Sequence, residues 1–307
     1  MTKSNIVVVG SSNTDMIIKM TRIPRAGETV LGGEFLTAAG GKGANQAVAA
    51  ARGGGRVSLI ARVGRDTLGD QAIAGFIRAG VDVSHVGRDR RLASGAALIF
   101  VARNGENSIA VASGANARLS PADIRRARGL IARAKVVLMQ LETPLDTVEA
   151  AARLAASHGA LVILNPAPAQ ILPNSLLRQT SILTPNESEA ELLTGVRLKG
   201  MTEVKEAAVR LLRCGVRTVV LTLGARGACI ADDAGTRFVP GFKVKAVDTT
   251  AAGDIFNGIF ALALTEGQPL EDAMRIANAA AAISVTRMGA QPSAPTRREI
   301  MRFLRTR

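Results

Sequence analysis

The chain has 307 residues, 47% of them hydrophobic, and a formal net charge of +14, enough apolar material for a sizeable core in one large or two smaller domains. No apolar run approaches the roughly 20 residues of a membrane-spanning helix, and the basic residues are scattered, with only short pairs such as Arg125-Arg126 and Arg297-Arg298. With no Trp or Tyr and 8 Phe to stack bases, the charge reads as an arginine-rich solvated surface and not as a nucleic-acid interface.

The first residues, Met1-Thr2-Lys3-Ser4-Asn5-Ile6, run straight into a strand and lack the apolar segment of a secretory signal. Ile6-Val7-Val8-Val9, ending at Gly10, has the continuous apolar pattern of a buried parallel strand. At its C-terminal end, where open α/β sheets bind ligands, come Ser11-Ser12-Asn13-Thr14-Asp15. Asn13 and Asp15 can hydrogen-bond a polyol there, or form an ordinary Asx turn. Ile17 to Met20 and Glu28 to Phe35 have strand character around Pro24, Ala26 and Gly27. Gly40-Gly41-Lys42-Gly43-Ala44-Asn45-Gln46 is a glycine loop feeding a helix that runs from Ala44 to about Arg52. It is not a Walker A loop, because Leu36 and Gly43 stand where that motif needs Gly and Ser/Thr. The glycines permit close approach of a ligand, and Lys42 and Asn45 can donate to its hydroxyls.

Val57 to Val63 predicts a strand, and a helix follows to Ala79, with Gly80 as its C′ residue. Ala96 to Ala102 and Ser108 to Ala112 flank an Asn104-Gly105 turn, a hairpin signature. No helix follows in βαβ fashion, so the hairpin is expected to pair with the strands at 17–35 as a small separate sheet. From Pro121 the alternation is regular. Helical pattern at 121–133 precedes strand Val136 to Gln140; a helix from Pro144 to His158 precedes strand Leu161 to Leu164. A short helix near 174–179 leads to Ile182-Leu183-Thr184, and helices opening at Pro185-Asn186 and spanning 202–214 lead to strand Thr218 to Thr222. This alternation predicts a mainly parallel sheet covered on both faces. The polar residues at its strand ends, among them Asn13, Gln140, Glu142, Asn165, Asn186 and Thr222, describe one rim. Thr222-Leu223-Gly224 can cradle a nucleotide with backbone groups. Asn186 and Glu189 can organise magnesium through water and phosphate, or simply form a capping box. Cys214 and Cys229 lie in apolar contexts without CxxC spacing, which predicts buried free thiols in a reducing, cytoplasmic setting. With only His85 and His158, no histidine-based metal site is expected.

The chemistry is expected at Asp248-Thr249-Thr250-Ala251-Ala252-Gly253-Asp254, followed by the apolar helical run Ile259 to Leu264. Small residues opening a helix present free N–H groups and a positive dipole end to an anion. Asp254 can take a proton from a hydroxyl or merely cap the helix. Leu270 to Thr286 predicts an alanine-rich helix with room for a ligand beside it. The loop at 287–293 can offer carbonyl oxygens to a cation.

Together these motifs resemble the ribokinase family of carbohydrate kinases, over Ile6 to Ile300. Gly40 to Ala47 is similar to the family's first signature and Asp248 to Asp254 to its second; Asn165-Pro166-Ala167-Pro168, Thr184-Pro185-Asn186-Glu187 and Gly289-Ala290-Gln291-Pro292-Ser293 extend the likeness. The resemblance implies one α/β domain over 1–307, with a mainly parallel sheet, helices on both faces, and lid strands inserted at about 16–36 and 94–113. It implies ATP-dependent phosphorylation of D-ribose and a homodimer formed through the lids. Asn13, Asp15, Gly41, Lys42, Gly43, Asn45, Glu142 and Asp254 would bind the sugar, with Asp254 as base. Ala251, Ala252 and Gly253 would form the anion hole. Asn186, Thr222, Leu223, Gly224, Ala225, Arg226, Gly227, Gly253 and Asn278 would bind ATP. Asp248, Thr250, Ser284, Arg287, Gly289 and Ser293 would hold K+, and Asn186 with Glu189 would serve Mg2+ indirectly. Two positions depart from the pattern: Ile255 where Thr is common, and Asn278 where His occurs. The rivals are a kinase for another sugar or a nucleoside, and a non-catalytic sugar-binding regulator, which the intact Asp254 and glycine loop argue against.

Overall fold

A computed structural model describes residues 5–307; Met1-Thr2-Lys3-Ser4, part of the stretch without a secretory signal pattern, lies outside them. In chain order the strands are β1 Ile6–Val9, β2 Asn13–Met20, β3 Glu34–Gly40, β4 Val57–Gly64, β5 Val81–Asp89, β6 Gly95–Ala102, β7 Asn107–Ala112, β8 Val136–Met139, β9 Leu161–Leu164, β10 Ile182–Leu183, β11 Thr218–Thr222, β12 Gly227–Asp232 and β13 Gly235–Pro240. The helices are α1 Lys42–Arg52, α2 Thr67–Arg78, α3 Pro121–Arg126, α4 Arg128–Ile131, α5 Leu145–Ser157, α6 Asn174–Gln179, α7 Glu187–Thr194, α8 Met201–Arg213, α9 Ala252–Thr265, α10 Leu270–Ser284 and α11 Arg297–Arg305.

Nine strands form the main sheet in the order β13-β12-β11-β10-β9-β8-β1-β4-β5. Pairing is parallel from β11 through β5, and β12 and β13 add an antiparallel edge. Strand side chains alternate between faces, so each strand feeds two cores. Ile6, Val8, Leu138 and Ile163 pack on the side of α1, α9 and α10. Val7, Val9, Met139 and Leu164 pack on the side of α5 and α8. Each such fully buried Ile, Leu or Met contributes roughly 1.5–3 kcal/mol.

The chain leaves β1 toward β4 on one side, while β8 begins the run to β9, β10 and β11 on the other. The topological switch therefore lies between β1 and β8, and their C-terminal ends carry Gly10 to Asn13 and Gln140 to Glu142. A crevice is expected at this point.

The second sheet, β3-β2-β6-β7, is the expected small separate sheet. Its β2–β3 and β6–β7 pairs are antiparallel, while β2 and β6 run parallel. Its first strand starts at Asn13, so Asn13 to Asp15 belong to the ladder and not to a turn. The strand expected at Glu28 to Phe35 begins at Glu34, because Gly27, Gly32 and Gly33 hold φ of 77, 90 and 121° and keep that stretch out of the ladder. The helix expected over 121–133 divides at Ala127 into α3 and α4.

Packing of α9 on α1 sets the site. A Cβ at Gly258 would stand 2.4 Å from the Gln46 carbonyl oxygen. Only glycine there lets the helices approach so closely, and Asp254, one turn earlier on α9, is brought against Asn45 and Gln46 of α1.

Candidate active site

Asp254 is buried in the first turn of α9, but Ala251 is the N-cap residue of that helix. The carboxylate faces α1 instead: Asn45 Nδ2 donates to Oδ2 at 3.0 Å and Gln46 Nε2 to Oδ1 at 2.9 Å. The helix-capping alternative is therefore not what the side chain does. Burial pushes its carboxyl above the ordinary range, opposed by Lys42, Asn45 and Gln46. Asp15 is pushed up to about 6, first by burial and then by Glu142 and Asp254. Burial pulls the Lys42 ammonium down, but Asp254, Glu142 and Glu189 outweigh it and carry it above its usual value. One part-buried cation thus faces three carboxylates, Asp254, Glu142 and Glu189.

The glycine loop is held from below. Glu142 Oε2 accepts from Ser11 Oγ at 2.5 Å and from the Lys42 N–H at 3.0 Å, and the Gly43 N–H donates to Ser11 Oγ at 3.3 Å. Gly41, at φ 88°, leaves no room for a side chain against Asn13 N, 2.6 Å from where its Cβ would stand. Asn13 Oδ1 accepts from Asn116 Nδ2 at 2.7 Å, and Asn116 Oδ1 accepts from the Ser12 N–H at 2.9 Å. Asn116 escaped the sequence reading because nothing in its local pattern marks it. Asn13, Asp15, Gly41, Lys42, Gly43, Asn45, Glu142 and Asp254 thus gather at the switch point.

On the other side of Asp254 a cavity of about 460 Å³ opens between α9, α10 and the end of β11. Asn186, Thr222, Gly224, Ala225, Gly227, Ala252, Gly253 and Asn278 line it. Two residues expected with them do not: Leu223 is buried, and the Arg226 guanidinium pairs with Glu187 on the surface. Asn278 Nδ2 donates to the Pro240 carbonyl at 3.2 Å, which holds the end of β13 against α10. Gly241, Phe242, Lys243 and Val285 also line the cavity; they follow the unread β12–β13 hairpin or end α10. Ile255 is fully buried in the core.

Between pocket and cavity the chain is bent. Ala251 adopts φ 59°, ψ 14°, the sole non-glycine residue with positive φ among the described residues. A left-handed alanine costs on the order of 1–2 kcal/mol, and such strain clusters where backbone must face a ligand. The Ala252 N–H turns to the Thr249 carbonyl at 3.2 Å, while Gly253 has open space where a Cβ would be.

Asp248 ties this loop to the next one. Its Oδ1 accepts from the Thr250 N–H at 2.9 Å and its Oδ2 from the Gly289 N–H at 2.8 Å. Ser284 Oγ and Ser293 Oγ donate to the carbonyls of Ala281 and Ala290, and Arg287 pairs with Glu299. Asn186 and Glu189 form the capping box: the Asn186 N–H and Nδ2 donate to Glu189 at 2.8 and 2.9 Å, and the Glu189 N–H donates back at 2.8 Å. Burial nevertheless raises Glu189 to about 6, with Asn186 and Lys42 opposing. Among the described residues no group of three or more His, Cys, Asp or Glu could hold a metal.

Residues 3–297 match the pfkB family of carbohydrate kinases. The chain belongs to that family. It is 46% identical over 302 residues to the ribokinase of Haemophilus influenzae, covering 98% of this chain and 99% of that one. It is 38% identical over 301 residues to a deoxyribokinase of Salmonella typhi, covering 98% of each. Among solved structures, Arabidopsis thaliana ribokinase complexed with ribose and ATP superposes with a TM-score of 0.91 at 32% identity, over 98% of this chain and 99% of that one.

Proposed function

We propose that this chain transfers the γ-phosphoryl group of ATP to the 5-hydroxyl of D-ribose, a ribokinase activity. The observation that carries the reading is the position of Asp254, with the polyol-binding residues on one side and, through Gly253, the 460 Å³ cavity on the other. Ribose lies on Asn13, Asp15, the Gly41 to Asn45 loop and Glu142. ATP occupies the cavity, with its terminal phosphate at the Ala251-Ala252-Gly253 turn, where helix N–H groups and dipole favour an anion. Asp254 accepts the hydroxyl proton as the sugar oxygen bonds to the γ-phosphorus, the bond from that phosphorus to the β–γ bridging oxygen breaks, and ADP leaves. The protein's part is alignment and charge stabilisation. Lys42 balances the charge on the transferring group. Asn186 and Glu189 are the residues that would stand by Mg2+ carried on ATP, which would supply neutralisation of phosphate charge. Asp248, Thr250, Ser284, Arg287, Gly289 and Ser293 would hold K+, which would supply positive charge beside the anion-hole turn.

The small sheet is the lid. Asp15, Ile17, Leu36, Ile99 and Ile109 share its one face by register, so the cover over the sugar is apolar and excludes water. Phe35 and Leu98 on the opposite face, and Ile109 and Val111 beside the site, are exposed, which favours a homodimer through the lids. No helix among the described residues is long and apolar enough to cross a membrane. Both cysteines are free; Cys229 is buried as expected, but Cys214 is exposed at the end of α8. Free thiols favour a cytoplasmic setting.

The test is ADP release with Mg2+ and K+ across D-ribose, 2-deoxy-D-ribose, fructose and adenosine, with the product identified by phosphorus NMR. Ribose 5-phosphate as the preferred product supports the reading. Preference for deoxyribose, which the Salmonella typhi likeness makes the second reading, would keep the mechanism and change the substrate. Saturable ribose binding without turnover would make the chain a sugar sensor.

A further inference from the structure

Behind Asp254 lies a chain of buried polar side chains, none of which lines the 460 Å³ cavity. Gln46 Nε2 donates to Asp254 Oδ1 at 2.9 Å and to Asn165 Oδ1 at 3.1 Å, and Gln46 Oε1 accepts from Gln140 Nε2 at 2.5 Å. Both donors and the acceptor of Gln46 are thereby engaged, and its side chain is fully buried. The chain continues: Asn165 Nδ2 donates to the Thr184 carbonyl at 3.1 Å, Thr184 Oγ1 to Asn257 Oδ1 at 2.6 Å, and Asn257 Nδ2 to the Gly253 carbonyl at 2.8 Å. It starts at the carboxylate of Asp254 and ends on the peptide next to it. Its anchors follow the ends of β8, β9 and β10, interior strands of the main sheet. Gln46 is matched throughout, whereas Gln140 Oε1 is buried with no hydrogen-bond partner among the described residues; a polar network this deep carries a cost that packing alone does not require.

We propose that Gln46 is a positioning residue for phosphoryl transfer, which fixes the plane of the Asp254 carboxylate through the Gln140 and Asn165 clamps. The inference rests on the kinase reading above. Gln46 removes rotation about the last bond of Asp254, so that the same oxygen always faces the sugar hydroxyl. Asn45 alone, standing at the sugar pocket, leaves the carboxylate free to swing. The charged groups that also face Asp254 are Lys42 of α1 and Glu142 after β8, with Asp15 of β2 and Glu189 of α7 at the border; Gln46 is the neutral group that acts by direct contact from the interior side.

The test uses Gln46→Leu in the full chain. A mispositioned base costs about 100-fold in kcat, while the KM for ribose stays within about twofold because Gln46 does not border the sugar. Hydrogen bonding to the charged form favours it, so losing the donor moves the acid limb of the kcat profile to higher pH. Gln140→Leu releases Gln46 without removing it and gives a smaller loss in the same direction. The double variant falls no further than Gln46→Leu, since both act through one contact. The Asp254 carboxyl band, identified by its absence in Asp254→Asn, is followed against pH by infrared difference spectroscopy in sugar-free protein. A kcat within about threefold of wild type with an unmoved acid limb and band overturns the proposal while the kinase reading stands. If wild type transfers no phosphoryl group, the reading fails, and the infrared titration still decides whether Gln46 holds Asp254. If Gln46→Leu does not fold, Gln140→Leu decides by the same limb and band.

Discussion

Asn45, in the first turn of α1, and Asp254, in the first turn of α9, stand 209 residues apart in the chain and are joined by a 3.0 Å hydrogen bond. Two helix N-termini therefore converge on one carboxylate, and the strongest prediction concerns it. Asp254→Asn lowers turnover by about 10²–10⁴-fold, the usual worth of a placed base, while ribose still binds by calorimetry. In wild type, burial holds Asp254 above the ordinary carboxyl range, so kcat falls as pH drops through that raised value. Lys42→Met removes an opposing charge and shifts the acid limb further up. A limb that stays in place in Lys42→Met would separate the two residues.

Asp15 gives a prediction about stability. Its carboxyl titrates near 6 in the fold against an ordinary value of 3.8, so the folded state holds its proton more tightly than the unfolded chain. The ionised form costs stability above about pH 6, and the cost is gone below 3.8. Asp15→Asn should raise the unfolding free energy at pH 8 by about 1–2 kcal/mol, after discounting for solvent that reaches the group. At pH 3.5 the variant and wild type should coincide in urea titrations. Ribose affinity falls in the same variant, so fold and function pull in opposite directions here.

Two glycines separate fold from chemistry. A Cβ at Gly43 would stand 2.6 Å from Ser11 N and 2.7 Å from Gly10 backbone atoms. Gly43→Ala should destabilise by about 1–3 kcal/mol, as overpacking does. At Gly253 nothing lies within 4 Å of the added atom. Gly253→Ala should leave the urea midpoint unchanged and raise the KM for ATP, because the new methyl faces the nucleotide cavity. Equal loss of stability in both would contradict the geometry.

Asp248 is the staple between the anion-hole loop and the 284–293 loop. In Asp248→Ala the two backbone N–H groups lose their acceptor. Turnover measured against KCl should become flat, at the level wild type shows in its absence. A KCl response preserved in the variant would place the cation elsewhere.

What could be read from the chain follows from how local each signal is. Ile6 to Val9 and Leu161 to Leu164 are short β-branched or aliphatic runs between turns, and both are strands as expected. The Asn104-Gly105 turn marked the β6–β7 hairpin, and the missing helix after it marked a second sheet. Strand β5 went unread because Asp82, Ser84, His85 and Arg88 give it an edge strand's mixed surface. Arg237 of the unread β13 is held by Asp232 and Glu271, contacts that no spacing announces. The motif residues around Asp254 were legible because glycine and small polar residues are concentrated there. The part played by Gln46, although it stands in the glycine-loop motif, and by Asn116 and Asn257 was not, since a buried amide is distinguished only by the partners that folding brings to it.

Asn13 and Asp15 are the first residues of β2, and β2 is a central strand of the lid. Recognition and enclosure are thus one piece of backbone, with no hinge between them. On the kinase reading, a sugar held by Asp15 would be tied directly to the sheet that covers it. The residues that choose the sugar would then also decide whether it is enclosed, so selection and shielding from water would be tuned together.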